Sequence, residues 1–151
     1  MQNIGEGSLD IPGEWHNRTV NVFTAQGPGV PGLSVTVNRD RLPFQTTLND
    51  YTQQQSHKLA QQLKGWELID EVSLEVDGRA ARQLEFSWET DDAGPVHQVL
   101  LCVADGQTLL NLAASFGGRM SEAQVAEAKR ILHSFRFAAP EDAGSAASSA
   151  A

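Results

Sequence analysis

The chain has 151 residues, the usual size of one domain and enough to bury a core without disulfides or metal. Its 19 acidic and 11 basic residues give a formal charge of −8, so the surface should repel nucleic-acid phosphates and anionic lipid headgroups. We therefore expect no nucleic-acid partner.

The sequence also argues against export and against a membrane span. No apolar run approaches the roughly 20 residues that cross a bilayer. The residues before Leu9 contain no basic region, no apolar signal core and no cysteine for acylation. We expect a cytoplasmic protein without stable membrane insertion. Cys102, the only cysteine, lies in the apolar run 99–103, so a buried, inert thiol is expected and an internal disulfide is impossible.

The first third of the chain predicts strands separated by loops. A short strand signal at 7–10 precedes a stretch rich in β-branched residues at 19–24. Glycines and prolines over 26–32 predict a loop. Apolar and polar side chains then alternate at the spacing of a strand. The apolar set is Leu33, Val35 and Val37, and the polar set is Ser34, Thr36 and Asn38.

A first helix is predicted after this strand. Thr46 or Thr47 can cap its N-terminus, and apolar side chains then recur at helical spacing up to Gly65. These apolar residues are Leu48, Tyr51, Leu59 and Leu63.

Strand signals then follow in close succession and predict an antiparallel meander. The segments are 66–76, 79–90, 96–104 and 108–116. Asp77-Gly78 and Asp105-Gly106 fall between segments and predict two-residue type I′ turns, since both central residues of that turn need a positive φ.

A second helix is predicted from a capping box at Ser121 and Gln124, with Met120 and Val125 placed for a hydrophobic staple. It should run to about His133. Residues 139–151 are too poor in large apolar residues to fold, so we expect one domain over 1–138 and a disordered tail.

This order of elements predicts an α+β fold with two helices packed on one face of an antiparallel sheet. The segment 96–103 is apolar on both faces apart from His97 and Gln98, and 19–24 is similarly two-sided. Strands buried on both faces need a second covering layer. With both helices on one side, the other face is expected to be open and covered by another chain.

No arrangement of residues predicts catalysis. The histidines share no metal-ligand spacing, and Cys102 is too buried to act as a nucleophile. Gly27, Gly29 and Gly32 are interrupted by prolines and followed by a strand, so they do not form a phosphate loop. We expect no cofactor, no metal and no enzymatic activity.

Polar residues in otherwise apolar patterns are the more informative signal. Gln55 lies between Tyr51 and Leu59 on one stripe of the first helix, where it should hydrogen-bond a partner. The polar set of the third strand is either an ordinary solvent face or part of a binding surface. The pattern alone leaves both open.

Five segments in this order resemble the DcrB-like domain of unknown function, over about residues 3–138. They are 9–15, 18–23, 37–40, 48–55 and 74–81. Within that group, the cytoplasmic members that this chain resembles are the Eag chaperones of type VI secretion. The chain lacks the signal and acylated cysteine of a lipoprotein DcrB, which counts against a periplasmic role.

The resemblance implies a homodimer with a Mog1/PsbP-like fold whose sheets form an apolar groove. It also implies a partner, the hydrophobic N-terminal transmembrane region of a secreted effector that carries a PAAR domain and is loaded onto the VgrG spike. By position along the matching segments, the groove is expected to contain Val20, Val22, Ser34, Thr36, Asn38, Gln55, Gln98 and Leu100. The alternative is a binding module for a lipid or small apolar ligand, in which the groove is a closed pocket.

Overall fold

The computed structural model describes residues 2–3, 8–10, 19–24 and 32–138. Its centre is one six-stranded sheet in the order β3-β4-β8-β7-β6-β5, with every neighbouring pair antiparallel. The strands are β3 (Asn21–Thr24), β4 (Leu33–Arg41), β5 (Glu67–Val76), β6 (Arg79–Thr90), β7 (Gly94–Asp105) and β8 (Thr108–Gly117). Two short strands, β1 (Gln2–Asn3) and β2 (Ser8–Leu9), pair with each other.

Both predicted helices form, each with the expected cap. In α1 (Leu48–Gln62) the Thr47 hydroxyl accepts a hydrogen bond from the Asp50 amide at 3.1 Å. In α2 (Glu122–His133) the Ser121 hydroxyl accepts from the Gln124 amide at 3.2 Å, and the Gln124 side chain accepts from the Ser121 amide at 2.8 Å. This reciprocal pair satisfies two amides that a helix start leaves without partners.

One of the two predicted hairpin turns is confirmed. Asp77 and Gly78 have φ values of 50° and 79°, as a type I′ turn requires. The Asp105-Gly106 prediction was wrong by one residue, because Asp105 still pairs with Thr108 and the loop is Gly106-Gln107. Of these two loop residues only Gly106 has a positive φ, 63°, as in a type II′ turn.

The predicted class, α+β with an antiparallel sheet and two helices, is confirmed, but the helices lie on opposite faces of the sheet and not on one. Tyr51 of α1 packs with Cys102 and Leu109. Leu132 of α2 packs in a separate cluster with Leu101, whose side chain alternates with Cys102 along β7. The two-sided strand β7 therefore receives a layer on each face from this chain itself, whereas β3 stays exposed on both faces at Val22 and Phe23.

The α2 face holds the larger core. Odd-numbered residues of β4 and β7 and even-numbered residues of β8 point toward α2. Fully buried members are Val99, Leu101, Val103, Ala114, Ala128 and Leu132. The strands that carry the opposite face are packed on this core.

Some predictions concern residues outside the described ranges. The turn at 11–13, most of the loop at 26–32 and the tail at 139–151 belong to this group. Within the described ranges, no helix is both long enough and apolar enough to cross a membrane.

Candidate binding groove

On the α1 face, the helix leaves part of the sheet uncovered. A groove of about 360 Å³ lies between α1 and strands β4, β8 and β7. Side chains of α1 form one wall, and the three strands form the floor. Its lining is Thr36, Asn38, Asp40, Tyr51, Gln55, Leu59, Gln98, Leu100, Cys102, Asn111 and Ala113.

The structure brings five of the eight predicted groove residues together in this lining. They are Thr36, Asn38, Gln55, Gln98 and Leu100. The register explains why, because Thr36 pairs with Ala113 and Ala113 pairs with Leu100, and paired residues point to the same side of a sheet.

The other three predicted residues lie beyond this lining. Val22 pairs with Thr36, so it extends the floor onto the edge strand β3. Ser34 pairs with Ser115, one pleat further along the same face. Val20 precedes β3 and is 52% exposed.

Sequence reasoning missed several residues of the groove. Of these residues, Asn111 could have been predicted, because it is a single polar residue among Leu109, Leu110 and Leu112 in a strand. Asp40 lies at the end of the polar alternation of β4, where it reads as an ordinary solvent-facing residue. Ala113 is a small residue with no pattern that indicates a binding site. The pairing of β4 with β8, which brings these residues together, spans about half of the chain and leaves no local pattern.

A polar cluster occupies one end of the groove. The Asn111 amide donates to Asn38 Oδ1 at 3.1 Å, and the Tyr51 hydroxyl donates to Asp40 Oδ2 at 3.2 Å. Asn111 Oδ1 is buried and has no hydrogen-bond partner among the described residues. An unpaired buried acceptor costs about 1–3 kcal/mol. This end of the groove therefore has unused hydrogen-bonding capacity.

Burial at this end also suppresses ionisation. Desolvation, with a further contribution from Asp40, raises the pKa of Tyr51 to about 12. Desolvation alone raises the pKa of Cys102 to about 12, and this residue is 1% exposed. A thiol that stays protonated is a poor nucleophile, so Cys102 contributes a small apolar surface to the floor.

The opposite end carries Gln98, and Gln55 lies along the α1 wall of the groove. Ser115 Oγ donates to Gln98 Oε1 at 2.9 Å, which fixes the orientation of that amide and leaves its Nε2 group available. Gln55, half-buried on α1, has no partner among the described residues. The middle row of the floor is Thr36, Ala113 and Leu100, of which Ala113 and Leu100 are apolar.

The edge strand β3 exposes apolar side chains on both faces. Val22 is 61% exposed on the groove face. Phe23 is 60% exposed and borders a separate apolar notch with Leu33, Val35 and Ile131 on the α2 face. Exposed valine and phenylalanine side chains at a sheet edge are typical of a contact surface.

A second polar cluster, on the α2 face, fastens α2 to the sheet. The Met120 amide donates to His97 Nδ1 at 3.0 Å, so the proton of a neutral imidazole lies on Nε2, 2.8 Å from Glu85 Oε2. Lys129 Nζ lies 3.3 Å from the other Glu85 oxygen. Each of these buried polar groups has a partner, as is typical of a cluster that stabilises the fold. Within the described part of the chain, no three His, Cys, Asp or Glu side chains are grouped to hold a metal ion.

Fold and groove together define an α+β domain with one partly open sheet face. Its sequence matches the DcrB family over residues 6–134, so the chain belongs to that family. Among individual proteins, it is 27% identical over 93 residues to Effector EagT6 of Pseudomonas aeruginosa. That alignment covers 60% of this chain and 64% of EagT6, so the chain spans somewhat less than two thirds of this relative.

The chain is also similar to two solved structures. The protein of unknown function PA94 from Pseudomonas aeruginosa, described as a putative regulator, superposes with a TM-score of 0.69 at 18% identity. The alignment covers 90% of this chain and 94% of PA94, so the two share a fold over nearly their whole lengths. Cyanobacterial PsbP from Synechocystis aligns over 82% of this chain and 92% of its own, with 15% identity and a TM-score of 0.47.

Proposed function

We propose that this protein is a cytoplasmic, dimeric chaperone, and not an enzyme, that binds and shields the N-terminal transmembrane segments of a secreted effector. The observation that supports this best is the groove beside α1, whose floor is apolar at Leu100 and Ala113 and polar at both ends. The similarity to EagT6 supports the association with type VI secretion.

The physical basis is the cost of an apolar helix in water. Burying apolar surface stabilises a complex by about 25 cal/mol per Å², whatever the exact sequence of the helix. Val22 on the same face is 61% exposed, so such a helix could also cover its side chain. The amides of Gln55 and Gln98 would pair with small polar residues of the bound segment and add selectivity.

The size of the groove favours two copies of the chain acting together. The floor from Asp40 to the level of Gln98, which Ser34 marks on β4, is about 20 Å long, at about 3.3 Å per residue. A membrane-spanning helix of about 20 residues is about 30 Å long and is apolar all round. One groove would cover part of its length and one side, so a homodimer is the simplest way to shield the rest.

The finer parts of the proposal rest on the family resemblance. They are that the effector carries a PAAR domain and that the chaperone aids its loading onto the VgrG spike. Both are carried over from the resemblance to the Eag chaperones, and the groove geometry bears only on the apolar segment.

A different class of function is a binding module for a lipid or small apolar ligand. The groove volume of about 360 Å³ lies within the usual range for such ligands. The polar lining at Asp40, Asn38 and Asn111 fits a helix end better than an acyl chain, because an acyl chain offers no hydrogen-bonding partner. A monomer that co-purifies with a lipid, identified by mass spectrometry, would favour this alternative.

Co-expression tests the proposal. The probe is a fluorescent reporter with a 20-residue N-terminal segment of Leu, Ala and Ser, expressed with and without this protein. We expect the soluble fraction of the reporter to rise several-fold with the protein, and the two to elute together from a sizing column. Equal solubility in its absence would refute the chaperone function.

A further inference from the structure

The two ends of the groove differ in charge, because Asp40 lines one end and no charged side chain lines the other. At one end, Asp40 Oδ1 accepts from the Arg41 amide at 2.8 Å, and Oδ2 accepts from Tyr51. A carboxylate has about four acceptor sites, so Asp40 retains capacity for more donors. Asn111 Oδ1 beside it lacks a donor among the described residues. This end, which we call the acceptor end, carries the negative charge of Asp40 and unused oxygen acceptors, beside the side-chain NH2 group of Asn38.

The other end offers a donor. Gln98 Oε1 is already occupied by the Ser115 hydroxyl at 2.9 Å. Its Nε2 group keeps two N–H donors, with no partner in the described part of the chain. No charged side chain belongs to the groove lining at this donor end.

A helix lying in the groove also has two different ends. Its first four N–H groups and its last four C=O groups lack partners within the helix. The aligned peptide dipoles add about half a positive charge at the N-terminus and half a negative charge at the C-terminus. Asp40 is exposed at its end of the groove, so a helix N-terminus placed beside it gains the modest energy of an exposed charge at a helix terminus.

We infer that an apolar client helix binds this groove in one direction, with its N-terminus at the acceptor end formed by Asp40 and Asn111. This inference rests on the proposed function, because it describes how the same client lies in the same groove. A client helix of about 30 Å that begins at the acceptor end runs along the floor of about 20 Å and extends beyond the donor end, so its N-terminus is the terminus that meets the groove.

The dipole of α1 opposes this direction but is the weaker effect. Its N-terminus lies at the acceptor end, where Tyr51 reaches Asp40, so a client in the inferred direction runs parallel to α1. The positive end of α1 carries about half a charge. The Thr47 cap and Asp50 in the first turn already offset it. The full negative charge of Asp40 therefore outweighs the α1 dipole and sets the preferred direction of the client helix.

Photo-crosslinking tests the direction. The probe is a hydrocarbon-stapled 14-residue helix of Leu, Ala and Ser, acetylated and amidated so that neither terminus is charged, with photo-leucine at its first or its last position. The first-position probe is expected to crosslink around Asp40, Tyr51 and Asn111, and the last-position probe around Ser34 and Gln98. Crosslinked residues are mapped by mass spectrometry.

Asp40→Asn should weaken binding of the same probe about 2- to 5-fold, which corresponds to the usual strength of a charge at a helix terminus. It should also reduce the directional preference, while Asp92→Asn, an equal change of charge at the exposed β6–β7 turn, should leave both unchanged. The reverse crosslinking pattern, or equal yields at both ends, would overturn the inferred direction and leave the proposed function intact. If the probe does not bind at all, both are overturned.

Discussion

The substitution Val22→Asp separates a binding surface from a structural one. Val22 pairs with Thr36 at the rim of the groove and is 61% exposed, so the substitution removes little buried surface. An exposed strand position costs up to about 1 kcal/mol through β-propensity. The variant should therefore fold, with a urea unfolding midpoint close to that of the wild type.

The effect on binding should be much larger. Complete burial of a valine side chain is worth about 1.5–3 kcal/mol. Because 61% of Val22 is still accessible, about 1–2 kcal/mol of this remains for a client to gain. A carboxylate at that position adds the cost of desolvating an unpaired charge. We expect a total loss of at least about 2 kcal/mol, or about 30-fold in Kd.

Phe23→Asp is the matched control. Phe23 is adjacent in β3, is 60% exposed and points to the opposite face. Fluorescence anisotropy of a labelled stapled 14-residue helix measures both variants. Val22→Asp should lose binding and Phe23→Asp should keep it. Equal losses in the two variants would show that the groove face has no special role, and global unfolding of Val22→Asp would show that Val22 is a core residue.

Three further predictions concern the interior. Cys102 should resist thiol reagents in the folded protein, because a pKa of about 12 leaves about one thiolate in ten thousand at pH 8, and rapid labelling under native conditions would contradict its burial. Tyr51, the only tyrosine, should ionise near pH 12 in an absorbance titration. Since its folded pKa is raised above 10.0, its contribution to stability should be complete below pH 10 and decline as the pH rises to 12. Asp40→Asn should lower that pKa, and an unchanged titration would contradict the contact. Leu132→Ala should reduce the free energy of unfolding by about 2–5 kcal/mol in urea titrations, because this side chain is fully buried under α2, and a loss below 1 kcal/mol would contradict that packing.

Local patterns in the sequence predicted most of the elements. The alternation in β4, the caps at Thr47 and Ser121 and the Asp77-Gly78 turn each depend on residues within a few positions of one another, and the structure has all of them. The second hairpin turn was predicted one residue too early. The sequence does not distinguish a turn at Asp105-Gly106 from one at Gly106-Gln107, because the two differ by one residue in the pairing register of the strands.

Long-range features were harder to predict. The helical stripe that contains Tyr51 shows that one side of α1 is buried, but no local signal tells which sheet face buries it. The assignment of both helices to one face was wrong for this reason. The polar alternation of β4 identified Thr36 and Asn38, whereas Asn111 joins them only through the pairing of β4 with β8.

The central claim is that an apolar helix binds the α1 face of the sheet. Amide chemical shifts of ¹⁵N-labelled protein, titrated with the stapled 14-residue helix, test it most directly. We predict saturable shifts at Thr36, Asn38, Leu100 and Ala113, with α2 residues such as Leu132 unaffected. Shifts confined to the α2 face, or no shifts at saturating helix, would contradict the account.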